Sequence, residues 1–203
     1  MYQSVVFVGS KCVGKSSLIG RLTEGSFSEE YMPTQGVDSK IATYVCTQQE
    51  DENEVEVKLS LWDTVDDRRL SWSMDDLYRK ADAFVIMFDL TDKASFEAVE
   101  GHLAQIMAAN KDQKVPKVLV GSKKDLKGER KVKAAKGEKV GKQHKMSYFE
   151  VSAENGEGIQ ALLEELVQKT QAKKHLRVSF SDVQPYISVD MEDERRPQSY
   201  IQQ

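Results

Sequence analysis

Apolar positions along this chain follow two rhythms that take turns. Val5-Val6-Phe7-Val8 is an unbroken apolar run and predicts a buried strand, and Ser17-Leu18-Ile19 through Leu22 follows with helical spacing. A polar stretch, 25–38, precedes two further strands near Ser39–Thr47 and Glu54–Asp63. In the second of these, Val55, Val57, Leu59 and Leu61 alternate with Glu56, Lys58 and Ser60, which predicts one buried face. The acidic turn Gln49–Asn53 joins them as a hairpin. Ala83–Leu90 is nearly all apolar, as a strand covered on both faces should be, and Val118–Gly121 and Tyr148–Val151 are two more strands. Helical patterns fall between, near Arg69–Lys80, Ser95–Ala109, Val132–His144 and Ile159–Lys173. Strands alternating with helices predict an α/β fold: a six-stranded, mostly parallel sheet with one antiparallel edge strand and five helices. Residues 1–174 form the domain, and 175–203 a C-terminal tail that is either disordered or docks on the domain or a partner.

The loop after the first strand carries the clearest chemistry. Gly9-Ser10-Lys11-Cys12-Val13-Gly14-Lys15-Ser16 fits G-x-x-x-x-G-K-[ST] in a strand–loop–helix setting. Its glycines let backbone N–H groups curl around an anion, Lys15 adds a cation for β- and γ-phosphates, and the Ser16 hydroxyl is placed to ligate Mg²⁺. Ser17 begins the helix whose positive end faces the phosphates. Leu59-Ser60-Leu61-Trp62-Asp63 is a strand ending in a carboxylate, as a residue holding Mg²⁺ through water should be. Val120-Gly121-Ser122-Lys123-Lys124-Asp125 follows a buried strand and is one residue from N-K-x-D. An Asp there accepts two hydrogen bonds from guanine that adenine cannot donate together. Val151-Ser152-Ala153 matches the S-A-K loop that contacts the guanine oxygen, with Glu154 in place of the lysine.

Composition narrows the classes. With 203 residues the chain can bury a real core, and a net charge of -4 gives no general attraction to nucleic acid or anionic membrane. Two cysteines, Cys12 and Cys46, make no disulfide framework and suit a reducing compartment. No signal peptide and no membrane-spanning run is visible, and neither end carries a lipidation motif, so no direct lipid anchor is expected. Residues 123–145 hold ten Lys/Arg against three Asp/Glu; this is read as a solvated loop and helix face rather than a lipid or acidic-partner contact.

Order and spacing of these motifs over about residues 2–172 resemble small GTPases of the Ras superfamily, most closely the Rab branch. Trp62-Asp63-Thr64, Thr34-Gln35-Gly36-Val37-Asp38 and Leu77-Tyr78-Arg79 resemble Rab segments. The resemblance implies GTP or GDP as bound nucleotide, with Mg²⁺ held by Ser16, Thr34 and, through water, Asp63. Tyr31 and Thr34 would lie in switch I, Phe27 would pack on the base, and the stretch from Asp63 to Tyr78 would form switch II. Trp62 stands at a position that belongs to an aromatic partner patch in Rab proteins; the other two positions of that patch are Ser39 and Leu77, where aromatics are usual.

Departures gather at the γ-phosphate. The family's D-x-x-G-Q reads Asp63-Thr64-Val65-Asp66-Asp67. Asp66 takes the place of a glycine whose N–H meets the γ-phosphate, and Asp67 that of the glutamine that orients the attacking water. Two carboxylates here oppose closure on an anion: a unit pair at about 4 Å and an effective dielectric near 20 is worth roughly 4 kcal/mol. Lys11 sits where a small residue is common. It either points to solvent, or lies near the β–γ bridge and offsets Asp66 or Asp67. Arg68 and Arg69 stand at a helix start where charges are common. Ser122 replaces the asparagine that ties the base loop to the phosphate loop, which predicts weaker nucleotide affinity.

The reading is a Rab-like GTP-binding switch with slow or negligible hydrolysis, using Lys15 and Thr34, with Lys11 and Asp67 as further candidate catalytic groups. It would act in the cytoplasm, in intracellular or intraflagellar trafficking, recruited by protein partners through switch I, switch II and Trp62. The alternative is a non-catalytic scaffold or assembly subunit that keeps the fold, with a resident nucleotide or none. A P-loop kinase or ATPase would leave Asp125, Ser152-Ala153 and Tyr31–Thr34 unexplained.

Overall fold

A computed structural model describes residues 2–28, 36–48, 54–64, 71–110, 115–171 and 176–178. The expected hairpin turn Gln49–Asn53 lies outside the described residues.

The strands are β1 (Tyr2–Gly9), β2 (Asp38–Gln48), β3 (Glu54–Asp63), β4 (Ala83–Asp89), β5 (Lys117–Ser122), β6 (Ser147–Glu150) and β7 (Leu176–Val178). The helices are α1 (Lys15–Glu24), α2 (Ser71–Arg79), α3 (Lys93–Glu97), α4 (Val99–Ala109), α5 (Ala134–Gln143) and α6 (Ile159–Thr170). The sheet order is β6-β5-β4-β1-β3-β2-β7. β1 pairs in parallel with β3 and β4, and β4, β5 and β6 continue in parallel. β2 runs antiparallel to β3, as the alternation predicts.

Two features go beyond the sequence reading. A three-residue strand from the tail, β7, adds antiparallel to β2 at Cys46–Gln48, so the sheet extends past residue 174. The helix expected over 95–109 starts at Lys93 and is divided at Ala98 into α3 and α4. Its early start comes from Asp92, whose carboxylate accepts from the N–H groups of Ala94 and Ser95 and caps the first turn.

Two apolar layers clamp the sheet. β4 is buried at every position because helices cover both its faces. On one side Val5, Phe7, Leu59, Leu61 and Val85 pack against Leu18, Ile19 and Leu22 of α1 and Leu162, Leu163 and Leu166 of α6. On the other, Val6, Val8, Phe84, Ile86 and Phe88 meet Leu77 of α2, Leu103 and Ile106 of α4, and Val132 before α5. Ser60, on the face of β3 expected to be polar, is buried at 5% exposure because this second layer also reaches that strand. Among the described residues no helix is long and apolar enough to cross a membrane.

The β6 edge is secured by polar contacts. Arg130 holds Glu150 with two hydrogen bonds of 2.8 Å, and the Tyr148 hydroxyl donates to the same carboxylate at 2.8 Å. The Arg130 guanidinium, first by hydrogen bonding, keeps the Glu150 carboxyl below its ordinary range, against the opposing effect of burial. The Tyr148 ring stacks on Phe88 and fills the space beside Gly137 of α5, where a Cβ would lie 2.2 Å from the ring.

Two predictions follow from this edge. Because the folded-state carboxyl is depressed, the ion pair stabilises fully above the ordinary carboxylate range and loses that effect as pH falls through Glu150's lowered value. Arg130→Ala should therefore cost about 2 kcal/mol at pH 7 and progressively less as pH falls below the ordinary carboxylate range, read by denaturant unfolding across that range. Gly137→Ala would gain up to about 1 kcal/mol in an open helix. Here it should destabilise by about 1–3 kcal/mol, because the Tyr148 ring is locked; a raised melting temperature would contradict this packing.

Candidate functional site

The parallel strands deliver their loops to one edge of the sheet, where doubly wound α/β folds bind ligands. β1 ends in the loop 9–14. Gly9 is needed by packing, since a Cβ there would lie 2.4 Å from the Met87 carbonyl of β4. Cys12 and Gly14 take φ values of 64° and 88°, left-handed turns that curl the loop into the start of α1. Gly14 is the N-cap and supplies no side-chain acceptor, and open space lies beside it. An α-helix satisfies none of its first N–H groups internally, so this end suits an anion.

Lys15 is 8% exposed, and its ammonium donates to the carbonyls of Gly9 at 2.7 Å and Ser10 at 2.9 Å. The cation is thus folded into the loop. Ser16, next on the helix, is exposed, and its hydroxyl donates to the Asp63 carboxylate at the end of β3 at 2.5 Å. A hydroxyl and a carboxylate brought together are hard oxygen donors of the kind Mg²⁺ takes. Thr64 is buried and fixes the chain after Asp63 by donating to the Phe7 carbonyl at 2.6 Å. Val13 is buried, whereas Lys11 and Cys12 are exposed, and Ser17 is half-buried. Neither Cys12 nor Cys46 is in a disulfide; burial pushes the Cys46 thiol up to about 11.

Two more loops close the opposite side. Ser122 ends β5, 5% exposed, and its hydroxyl lies 2.6 Å from the Val13 carbonyl and 3.0 Å from that of Phe88. The tie that the sequence assigns to an asparagine is therefore within a serine's reach, though one hydroxyl proton serves one acceptor at a time. Lys123 has φ 59° and pairs with Asp89 of β4 at 2.7 Å. Lys124 pairs with Glu157 at 2.9 Å, and its N–H donates to the Val151 carbonyl at 3.0 Å, so the loop of Asp125 and the loop of Ser152 are held side by side. Asp125 is half-buried, and among the described residues no side chain engages its carboxylate. Ser152 is fully buried; its Oγ accepts from Asn155 N–H at 3.2 Å and sets the turn that carries Ala153 and Glu154.

Phe27 is half-buried just after α1 ends at Gly25. Trp62 is half-buried, stands opposite Ser39 on β2, and packs on the layer that contains Met74 and Leu77 of α2. Leu77 is itself 8% exposed and so lies under this surface. Tyr31, Thr34, Asp66, Asp67, Arg68 and Arg69 lie outside the described residues, and with them the partners expected for Lys11. The lysines of 127–145 are exposed, in keeping with a solvated face.

Arg21 was not singled out by the sequence. From α1 it donates to the carbonyls of Ala153 at 2.6 Å, Glu154 at 2.5 Å and Gly25 at 2.5 Å. The Gly25 contact, four residues on, is the ordinary use of a basic residue in a last helical turn and is legible locally. The other two span more than 130 positions and have no local signal.

Residues 4–172 match the family model described as the Ras family. The chain is 33% identical over 168 residues to "Ras-related protein RabC" of Dictyostelium discoideum, covering 83% of each chain. It is 32% identical over 163 residues to "Ras-related protein Rab-3C" of Bos taurus, covering 80% of this chain and 69% of that one. It is also 36% identical over 152 residues to the human "EF-hand calcium-binding domain-containing protein 4B", covering 75% of this chain but 20% of that larger protein.

Ser122→Ala should leave the Val13 and Phe88 carbonyls without the hydroxyl that reaches them. A loss of about 1–3 kcal/mol in unfolding free energy is expected, the cost of an unsatisfied buried acceptor. Release of a fluorescent GDP should quicken in parallel, and an unchanged rate would mean that this contact does not tie the two loops.

Proposed function

Because this chain belongs to the Ras family of small GTPases and is Rab-like, we propose that it is a guanine-nucleotide-dependent switch that hydrolyses GTP slowly or negligibly by itself. The observation that carries the reading is the joining of a phosphate loop to a base loop, where the Ser122 hydroxyl lies 2.6 Å from the Val13 carbonyl. With that joint in place, one ligand with phosphates at the start of α1 and a base at Asp125 spans both loops.

The residues divide the work by chemistry. Lys15 exchanges its loop carbonyls for phosphate oxygens and neutralises charge that develops on them. Ser16 and Asp63 would hold Mg²⁺, Asp63 through water, with Thr34 as the switch I ligand in the GTP state. Mg²⁺ when bound supplies charge neutralisation between the β- and γ-phosphates. Asp125 selects guanine through its N1–H and exocyclic amine, and the Ser152–Glu154 loop offers backbone donors to the guanine oxygen. Phe27 covers the base. Asp66 and Asp67 in place of glycine and glutamine support weak hydrolysis, since the glutamine amide that orients the attacking water is missing.

Partners are proposed to read the chain through switch I, switch II and the half-buried Trp62, in intracellular or intraflagellar trafficking. The replaced residues of switch II also favour a second reading, in which the domain is an assembly subunit with a resident nucleotide and no turnover.

Purified protein incubated with GTP and Mg²⁺, denatured and resolved by chromatography over time, tests the slow hydrolysis. GTP retained for hours is the expected outcome; brisk conversion to GDP would overturn slow hydrolysis and place another group in the glutamine's role. Lys15→Ala should abolish nucleotide binding, and Asp125→Asn should shift preference from guanine toward xanthine; retained affinity or unchanged base preference would refute the respective assignment.

A further inference from the structure

Arg21 joins three segments that the proposed nucleotide site uses. Its helix begins with Lys15 and Ser16, its guanidinium grips Ala153 and Glu154, and its remaining contact is Gly25, two residues before Phe27. Among the described residues no carboxylate pairs with this guanidinium, so its fork is spent on backbone carbonyls.

Those carbonyls fix the orientation of two peptides. In a trans peptide the N–H points opposite the C=O. Drawing the Ala153 carbonyl toward α1 turns the Glu154 N–H away from α1. Drawing the Glu154 carbonyl the same way turns the Asn155 N–H away as well, and that N–H is met by Ser152 Oγ at 3.2 Å. A charged donor on a carbonyl also polarises its peptide and strengthens the N–H at the other end. The guanidinium thus presets a backbone donor on the loop assigned to the purine oxygen.

We propose that Arg21 is a positioning residue for guanine: it aims the 153–154 peptide at the 6-oxo group of the purine, lengthening nucleotide residence. This rests on the guanine site proposed above. A lysine keeps the charge but lacks the planar fork, so it cannot reproduce three carbonyl contacts in this geometry.

The test follows release of a fluorescently labelled GDP, and of the matching 2-aminopurine nucleoside diphosphate, which lacks the 6-oxo group, from the full chain with Mg²⁺ present. For Arg21→Gln, GDP release should quicken by about tenfold to a hundredfold, the worth of one or two charge-assisted hydrogen bonds. Release of the 2-aminopurine nucleotide should stay nearly unchanged, because the contact that the clamp serves is already missing. Arg21→Lys should fall between the two and carries the comparison if Arg21→Gln does not fold. Equal acceleration of both nucleotides would mean a purely structural role and overturn the proposal, as would no acceleration of either. A wild-type chain that fails to prefer GDP over the analogue would overturn the guanine site itself along with the clamp, which keeps the two failures distinct.

Discussion

Burial of the Lys15 ammonium is the constraint around which the site is arranged. A cation at 8% exposure is costly unless it finds acceptors, and here the loop's own carbonyls, Gly9 and Ser10, provide them. They can do so only because the backbone bends sharply, through left-handed turns at Cys12 and Gly14 and through the close approach of Gly9 to β4. The same bends place the open end of α1 beside the cation. The loop is thereby organised for an anion by forces that act within the protein, and the ligand need only exchange one set of oxygens for another.

From that loop the order spreads along two polar ties. Ser122 links it to the end of β5, and Arg21 links its helix to the turn after β6. Both use side chains to satisfy backbone carbonyls; those that Ser122 reaches are buried and cannot be left bare, while those that Arg21 holds lie nearer the surface. Each therefore serves the fold and the geometry of the cleft at once. The parallel sheet contributes the rest, because it brings the ends of β1, β3, β5 and β6 to the same edge although they are far apart in sequence.

In the amino-acid sequence, Asp66 and Asp67 stand where the D-x-x-G-Q pattern has glycine and glutamine. Just before them, Asp63 is met by Ser16 and Thr64 is anchored by its bond to Phe7. Under the proposed reading, the residues that would hold a nucleotide are kept while those associated with orienting water are replaced. The sheet also takes β7 from the tail onto the outer edge of β2.

The phosphate loop, the Asp63 strand end, the Asp125 loop and the order of strands were legible in the amino-acid sequence, because each depends on local steric and periodic rules. Glycine spacing permits the curl, unbroken apolar runs require burial on both faces, and alternation marks the edge hairpin. The clamp by Arg21, the reach of Ser122 to Val13, the burial of Ser60, the break at Ala98 and the pairing of Leu176–Val178 with β2 were decided only in the tertiary structure. The polar ties and the strand pairing depend on which backbone carbonyls and which sheet edge come within a few ångströms after the chain has closed, and the burial of Ser60 on the apolar layer that covers β3. A hydrogen bond between positions more than a hundred residues apart leaves no mark on the local pattern of either.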